Sequence, residues 1–191
     1  MTSKAEYFER LSLVLKSNRD SITHGIDVLS GRILEVSGRR SNVWIIGNGG
    51  SASTAEHLET DLSFIRYNID SKAPIVNSLT ANSALLTAIS NDIDYASVFS
   101  TILKKKSSQG DLLISISASG NSENILQAIV FARKHGLTTF SLLGFDGGQA
   151  KDLSDDSIVV MTEKGEYGIV EDLHLMICHA VSETILKRVQ T

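Results

Sequence analysis

Proline and cysteine each occur once in this 191-residue chain, and each scarcity removes a class of protein. One Pro among 42% apolar residues is the composition of neither a linker nor a disordered segment, and the length allows a single domain, 1–191, with a substantial core. The lone Cys178 cannot close an intrachain disulfide and fits a reducing compartment. Positive charge is also sparse. At a net charge of −4 the only basic run is Lys104-Lys105-Lys106, which reads as a solvated helix end, so no nucleic-acid partner is expected. Met1 to Arg10 mixes charged and apolar residues without a continuous apolar stretch; it reads as neither a signal peptide nor a membrane span, and the expected location is the cytoplasm. No internal repeat or low-complexity stretch divides the chain.

What is present is a helical beginning followed by alternation. Tyr7, Leu11, Val14 and Leu15 recur at helical spacing, as do Ile22, Ile26, Leu29, Ile33 and Leu34. This predicts two helices over residues 1–37, broken near Asn18 to Ser21, which cover the sheet or pack against another subunit. From residue 43 strands and helices alternate. Strands are expected at Val43–Ile46, Pro74–Val76, 111–116, Thr138–Leu143 and Ser157–Met161, with helices at Ser51–Phe64, Ser83–Ser90, Tyr95–Leu103, Glu123–His135 and Ile169–Val189. Such alternation means parallel pairing through right-handed crossovers, hence an α/β three-layer sandwich.

Two strand-to-helix joints carry glycine and serine together. Gly47-Asn48-Gly49-Gly50-Ser51 follows the first strand, and Ser117-Ala118-Ser119-Gly120-Asn121-Ser122 follows Leu112, Leu113, Ile114 and Ile116. Both loops should open at the carboxyl edge of one sheet, where open α/β sheets bind ligands. Free N–H groups at the next helix, with hydroxyl donors beside a glycine, suit a phosphate. Ordinary capping by Ser51, Ser119 or Ser122 explains either loop taken alone. No Gly-Lys-Ser/Thr ending and no dinucleotide spacing is present, so a nucleotide is not the first expectation.

The serine loop, the Gly47–Ser51 loop, His57, Asn91-Asp92, Gly144-Phe145-Asp146-Gly147-Gly148 and Glu171-Asp172-Leu173-His174 ending at His179 together resemble the sugar isomerase (SIS) domain family, over nearly the whole chain. Within it the likeness is greatest to the phosphoheptose isomerases, which interconvert sedoheptulose 7-phosphate and an aldoheptose 7-phosphate. The resemblance implies a five-stranded parallel flavodoxin-like sheet and a homotetramer with sites between subunits. It also implies a sugar phosphate held by Asn48, Gly49, Gly50, Ser51, Asn91, Asp92, Ser117, Ala118, Ser119, Ser122 and Glu171.

His57 and Asp61 lie four apart on one helix and share a face. Glu171 and His179, eight apart, differ by about 80° around theirs, near enough to face a common point. Two imidazoles and two carboxylates make a set that zinc accepts, and the resemblance implies one Zn2+ per subunit on His57, Asp61, Glu171 and His179. Without it, His57 beside Glu56 and Glu59 reads as a solvated face, His174 competes as the helical partner of Glu171, and both acids read as helix-dipole carboxylates. Aldose–ketose conversion through an enediol needs a base at one carbon and an acid at its neighbour. By resemblance Asp61 is the base and His179 the acid, with Glu171 as a further catalytic candidate. The best-known enzymes carry Glu at the position of Asp61, Gln at that of Glu171 and a substrate-contacting Asp at that of Gly168. A non-catalytic sugar-phosphate-binding or replication-initiator-associating protein of the family is the alternative, and a metal-free pentose or hexose phosphate isomerase a weaker one.

Overall fold

Every strand of this computed structural model runs in the same direction, because every connection that can be followed crosses over through a helix. Residues 4–69 and 74–190 are described; residues 1–3 of the expected N-terminal segment lie outside them. In chain order the elements are α1 (Lys4–Gly38), β1 (Asn42–Gly47), α2 (Gly50–Ile69), β2 (Ile75–Ser78), α3 (Ser83–Asp92), α4 (Val98–Lys106), β3 (Leu112–Ser117), α5 (Glu123–Lys134), β4 (Thr138–Phe145), α6 (Gly148–Leu153), β5 (Asp156–Met161) and α7 (Tyr167–Gln190). The five parallel strands take the order β2-β1-β3-β4-β5, the flavodoxin-like arrangement.

Strands β1 and β3 are buried on both faces, as near-continuous apolar runs in a parallel sheet must be. Alternate side chains feed two cores. Val43, Ile45, Leu112, Ile114 and Ile116 join residues of α1, α2 and α7 on one face. Trp44, Ile46 and Leu113 join α4, α5 and α6 on the other, giving the expected three layers.

The N-terminal helix departs from expectation. It is one continuous helix of 35 residues, not two. Asn18, which the sequence offers as a breaker, is buried, and its amide bonds both its own helix and the sheet. Its Nδ2 donates to the carbonyls of Val14 and Met161, and its Oδ1 accepts the Met161 N–H. The two Met161 bonds cover the end of edge strand β5, so the polar side chain pins the helix to the sheet where it would otherwise have interrupted it. Helix α6 lies outside the sequence-based expectation; it is a short turn that follows Gly147 at φ +93.

Candidate active site

The chain enters the sheet at β1, steps outward to β2, then crosses back to β3 on the other side of β1. The loops after β1 and β3 therefore leave neighbouring strands at the point where the winding reverses. They are the glycine loop and the serine loop. Together they line a cradle of about 180 Å³ bounded by Asn48, Ser51, Ile116, Ser117, Ala118, Ser119, Ser122, Tyr167 and Glu171.

The hydroxyls there are poised as donors. Ser117 Oγ accepts the Gly120 N–H at 3.1 Å and Ser119 Oγ accepts the Asn121 N–H at 3.3 Å, which leaves each hydroxyl hydrogen for a ligand. Ser122 occupies the N-cap position of α5 without a side-chain capping bond, so the capping explanation of that serine does not hold. The first turns of α2 and α5 both border the cradle and add their positive dipole ends.

Gly120, at φ +61, fixes the loop's path. A Cβ there would collide with the Gly147 carbonyl. The Gly144–Gly148 segment buttresses the serine loop from behind. The Gly144 N–H donates to the Ala118 carbonyl, the Ala150 N–H to the Gly120 carbonyl, and the Gln149 N–H to Asn121 Oδ1.

Helices α2 and α7 lie side by side and run in the same direction, which creates a seam. At the cradle end the Glu171 carboxylate rests on Gly50, where a Cβ would stand 2.5 Å from Glu171 Oε2. Seven residues along α2 and eight along α7, His57 Nε2 meets His179 Nε2 at 2.9 Å, and Asp61 Oδ2 lies 3.6 Å from His57 Nε2. These three residues offer ligand atoms that all lie within 4.8 Å of one another. A groove beside them is lined by Thr60, Phe64, Ile65, Ser182, Glu183 and Leu186 together with Asp61 and His179.

The group at the seam differs from the expected four. Among the described residues Glu171 is not with His57, Asp61 and His179; it lines the cradle. An 80° angular offset puts Glu171 and His179 on neighbouring stripes, but eight residues also separate them by about 12 Å along the axis. His174 is not the partner of Glu171 either: it is fully buried, and its ring nitrogens have no well-formed hydrogen bond. Burial pushes its pKa down to about 4, and the Leu143 backbone offsets little of that. Asn91 and Asp92 end α3 exposed, with Asn91 Nδ2 donating to Asp92 Oδ1 at 2.9 Å, and neither lines the cradle. Gly49, at φ +55, is exposed in the glycine loop.

Sequence reasoning missed Tyr167 in the cradle wall, and Tyr95 and Asn124, whose side chains both bond Asn48. It also missed Tyr7, whose hydroxyl donates to Asp172 Oδ2 at 2.6 Å and stands 3.2 Å from where a Gly168 Cβ would be. These are long-range contacts with no local spacing to betray them.

The SIS-domain family model matches residues 6–144. Over 181 residues, 94% of this chain and 78% of the relative, the sequence is 35% identical to a phosphoheptose isomerase of Chlorobium phaeobacteroides. The chain belongs to the SIS-domain family, among the phosphoheptose isomerases. A second such relative, from Helicobacter pylori strain P12, is 34% identical over 177 residues, 93% of this chain and 88% of its own length. The structure of a phosphoheptose isomerase from Neisseria gonorrhoeae has the same fold, with a TM-score of 0.85, 24% identity and 95% of both chains covered. No described helix of this family member is long and apolar enough to cross a membrane.

Two imidazole nitrogens and one carboxylate oxygen are the donor set of an open catalytic zinc site, in which a fourth position is left for water or substrate. His57, Asp61 and His179 fit such an ion by type and by proximity.

Proposed function

We propose that this isomerase converts sedoheptulose 7-phosphate to D-glycero-D-manno-heptose 7-phosphate in heptose biosynthesis. The observation that carries the reading is the α2–α7 seam. It joins a hydroxyl-lined anion cradle at Gly50 and Glu171 to a cluster of acid and base groups at His57, Asp61 and His179. Seven residues of helix separate the two ends, roughly 10 Å. A ketose with its carbonyl at C2 and its phosphate at C7 has a comparable reach.

In this reading Ser117, Ser119, Ser122 and Ser51 hold the phosphate, and that remote binding energy places C1 and C2 at the triad. Asp61 takes the C1 proton while His179 gives a proton to the C2 oxygen, forming the enediol. The O1 hydroxyl then loses its proton and C2 gains one, leaving the C1 aldehyde; no electrons leave the sugar. Histidine and carboxylate suit these transfers near neutral pH. His57, Asp61 and His179 would hold a zinc ion, which when bound would polarise the substrate carbonyl in place of the proton that His179 otherwise gives. Glu171, in the cradle wall against Gly50, would meet the sugar hydroxyls next to the phosphate. Asn91 and Asp92, away from the cradle of their own chain, fit a homotetramer whose sites lie between copies, working in the cytoplasm. The retained triad favours this reading over a non-catalytic sugar-phosphate binder.

His179→Ala tests it. Conversion of sedoheptulose 7-phosphate should fall by at least about 100-fold, the lower range for a lost general acid, while binding is largely kept. Unchanged turnover would sink the assignment.

A further inference from the structure

A buried asparagine and an exposed tyrosine converge on one side chain of the cradle. Asn48 Nδ2 donates to Asn124 Oδ1 at 2.9 Å, and Asn124 Nδ2 donates back to Asn48 Oδ1 at 3.0 Å. Tyr95 Oη donates to the same Asn48 Oδ1 at 2.7 Å. Asn124 is buried in the first turn of α5, directly after the serine loop, and Tyr95 follows α3, in a turn where Asp94 Oδ1 accepts the Ser97 N–H.

The donor count decides what Asn48 shows the ligand. Its carbonyl oxygen carries two lone pairs, and Tyr95 and Asn124 use both. Its amide carries two hydrogens, and one goes to Asn124. The second has no partner among the described residues and belongs to a side chain that lines the cradle. The reciprocal Asn48–Asn124 pair alone does not fix this outcome, since turning both amides over preserves both of its bonds. In the turned arrangement both Asn48 hydrogens would go to Asn124 and Tyr95, and the cradle would meet an oxygen lone pair that repels a phosphate.

We propose that Tyr95 and Asn124 are positioning residues that hold the Asn48 side chain in the cradle wall, where its remaining N–H meets the anion. This rests on the reading of the cradle as the phosphate site. A phenol can donate or accept, so the anion itself selects the donor-out arrangement, and Tyr95 then fills the second lone pair of the Asn48 oxygen. The same contacts tie the glycine loop to the helix that follows the serine loop, so the two halves of the cradle are set together.

Tyr95→Phe is the variant to make, since Tyr95 is 56% exposed and the fold does not rest on its hydroxyl. Steady-state kinetics with sedoheptulose 7-phosphate, and competition by inorganic phosphate, should show KM and the inhibition constant for phosphate rising together by about fivefold, the loss of one ordinary hydrogen bond. The value of kcat should stay within about twofold, because the chemistry at the triad is untouched. An unchanged KM and an unchanged phosphate inhibition constant would overturn the positioning role. So would a tenfold fall in kcat at saturation, which would put Tyr95 in the chemistry itself. Inorganic phosphate that fails to compete with substrate in the unmodified protein would overturn the phosphate reading on its own and the inference with it.

Discussion

The Nε2 atoms of His57 and His179 face each other at 2.9 Å, with their rings inclined by 66°. Two imidazole nitrogens this close cannot both carry a proton. Either one donates to the other's lone pair, or both lone pairs face a cation, to which Asp61 Oδ2, 3.6 Å from His57, would be a third donor atom.

The metal reading makes the first prediction. Purified protein should carry about one zinc per chain, and His57→Ala should lose most of it, because two ligands do not make a tight site. Elemental analysis of both proteins decides the point. Equal metal content in the variant would remove the triad as the site.

Glu171 distinguishes two assignments of the base. It rests on Gly50 at the cradle and stands apart from the triad, so Glu171→Gln should leave kcat within about threefold if Asp61 takes the proton. Asp61→Asn should cost at least about 100-fold on the same scale. The opposite ranking of the two variants would move the base to Glu171.

The triad is legible in the amino-acid sequence, but unevenly. His57 and Asp61 share a face by i, i+4 spacing, a local fact. That His179 meets them depends on how α2 and α7 are staggered, which no local pattern specifies. Glu171 joins the expected set only while angle is weighed without axial rise. The strands β1 and β3 and their loops are legible because a buried parallel strand reads as an unbroken apolar run and glycine with serine marks its exit. Asn18 misleads for the opposite reason: its local preference for a break yields to bonds with Met161, 143 residues away. Tyr95 and Asn124 give no signal because their role exists only once Asn48 is between them.

His174 predicts an acid-sensitive fold. Its pKa is pushed down to about 4 by burial, against 6.5 for the free side chain. The unfolded chain therefore binds a proton that the folded chain refuses, and stability present above pH 6.5 should be lost as pH falls toward 4, by about 3 kcal/mol. Urea melts across that window for the unmodified protein and for His174→Leu should diverge, with the variant flatter. Parallel pH dependence would contradict the assignment.

Tyr7 predicts the alkaline counterpart and explains the room at Gly168. The hydrogen bond to Asp172 holds the phenol up to about 12, so its contribution is complete below pH 10 and is lost as pH rises from 10 toward 12. Exposed as it is, the bond contributes at most about 1 kcal/mol, which Tyr7→Phe should remove at neutral pH. Gly168→Asp should lower stability further, since its Cβ would stand 3.2 Å from Tyr7 Oη and its carboxylate would join Asp172 and Glu171. A Gly168→Asp protein as stable as the unmodified one would show that α1 does not occupy that space.

The serine loop carries the simplest backbone prediction. Gly120→Ala forces a side chain into φ +61 against the Gly147 carbonyl and should cost about 1–3 kcal/mol of stability, with weaker substrate binding. A melt and a KM measured on one preparation test both.

The central claim is that the seam holds a ketose phosphate by its far end and moves a proton at its near end. Incubating the protein with sedoheptulose 7-phosphate in D2O and following the products by NMR tests it most directly. The account predicts the anomeric C1 signals of D-glycero-D-manno-heptose 7-phosphate, with solvent deuterium incorporated at C2, abolished in His179→Ala. A folded, zinc-loaded protein that yields neither aldose nor deuterium at C1 or C2 would contradict it.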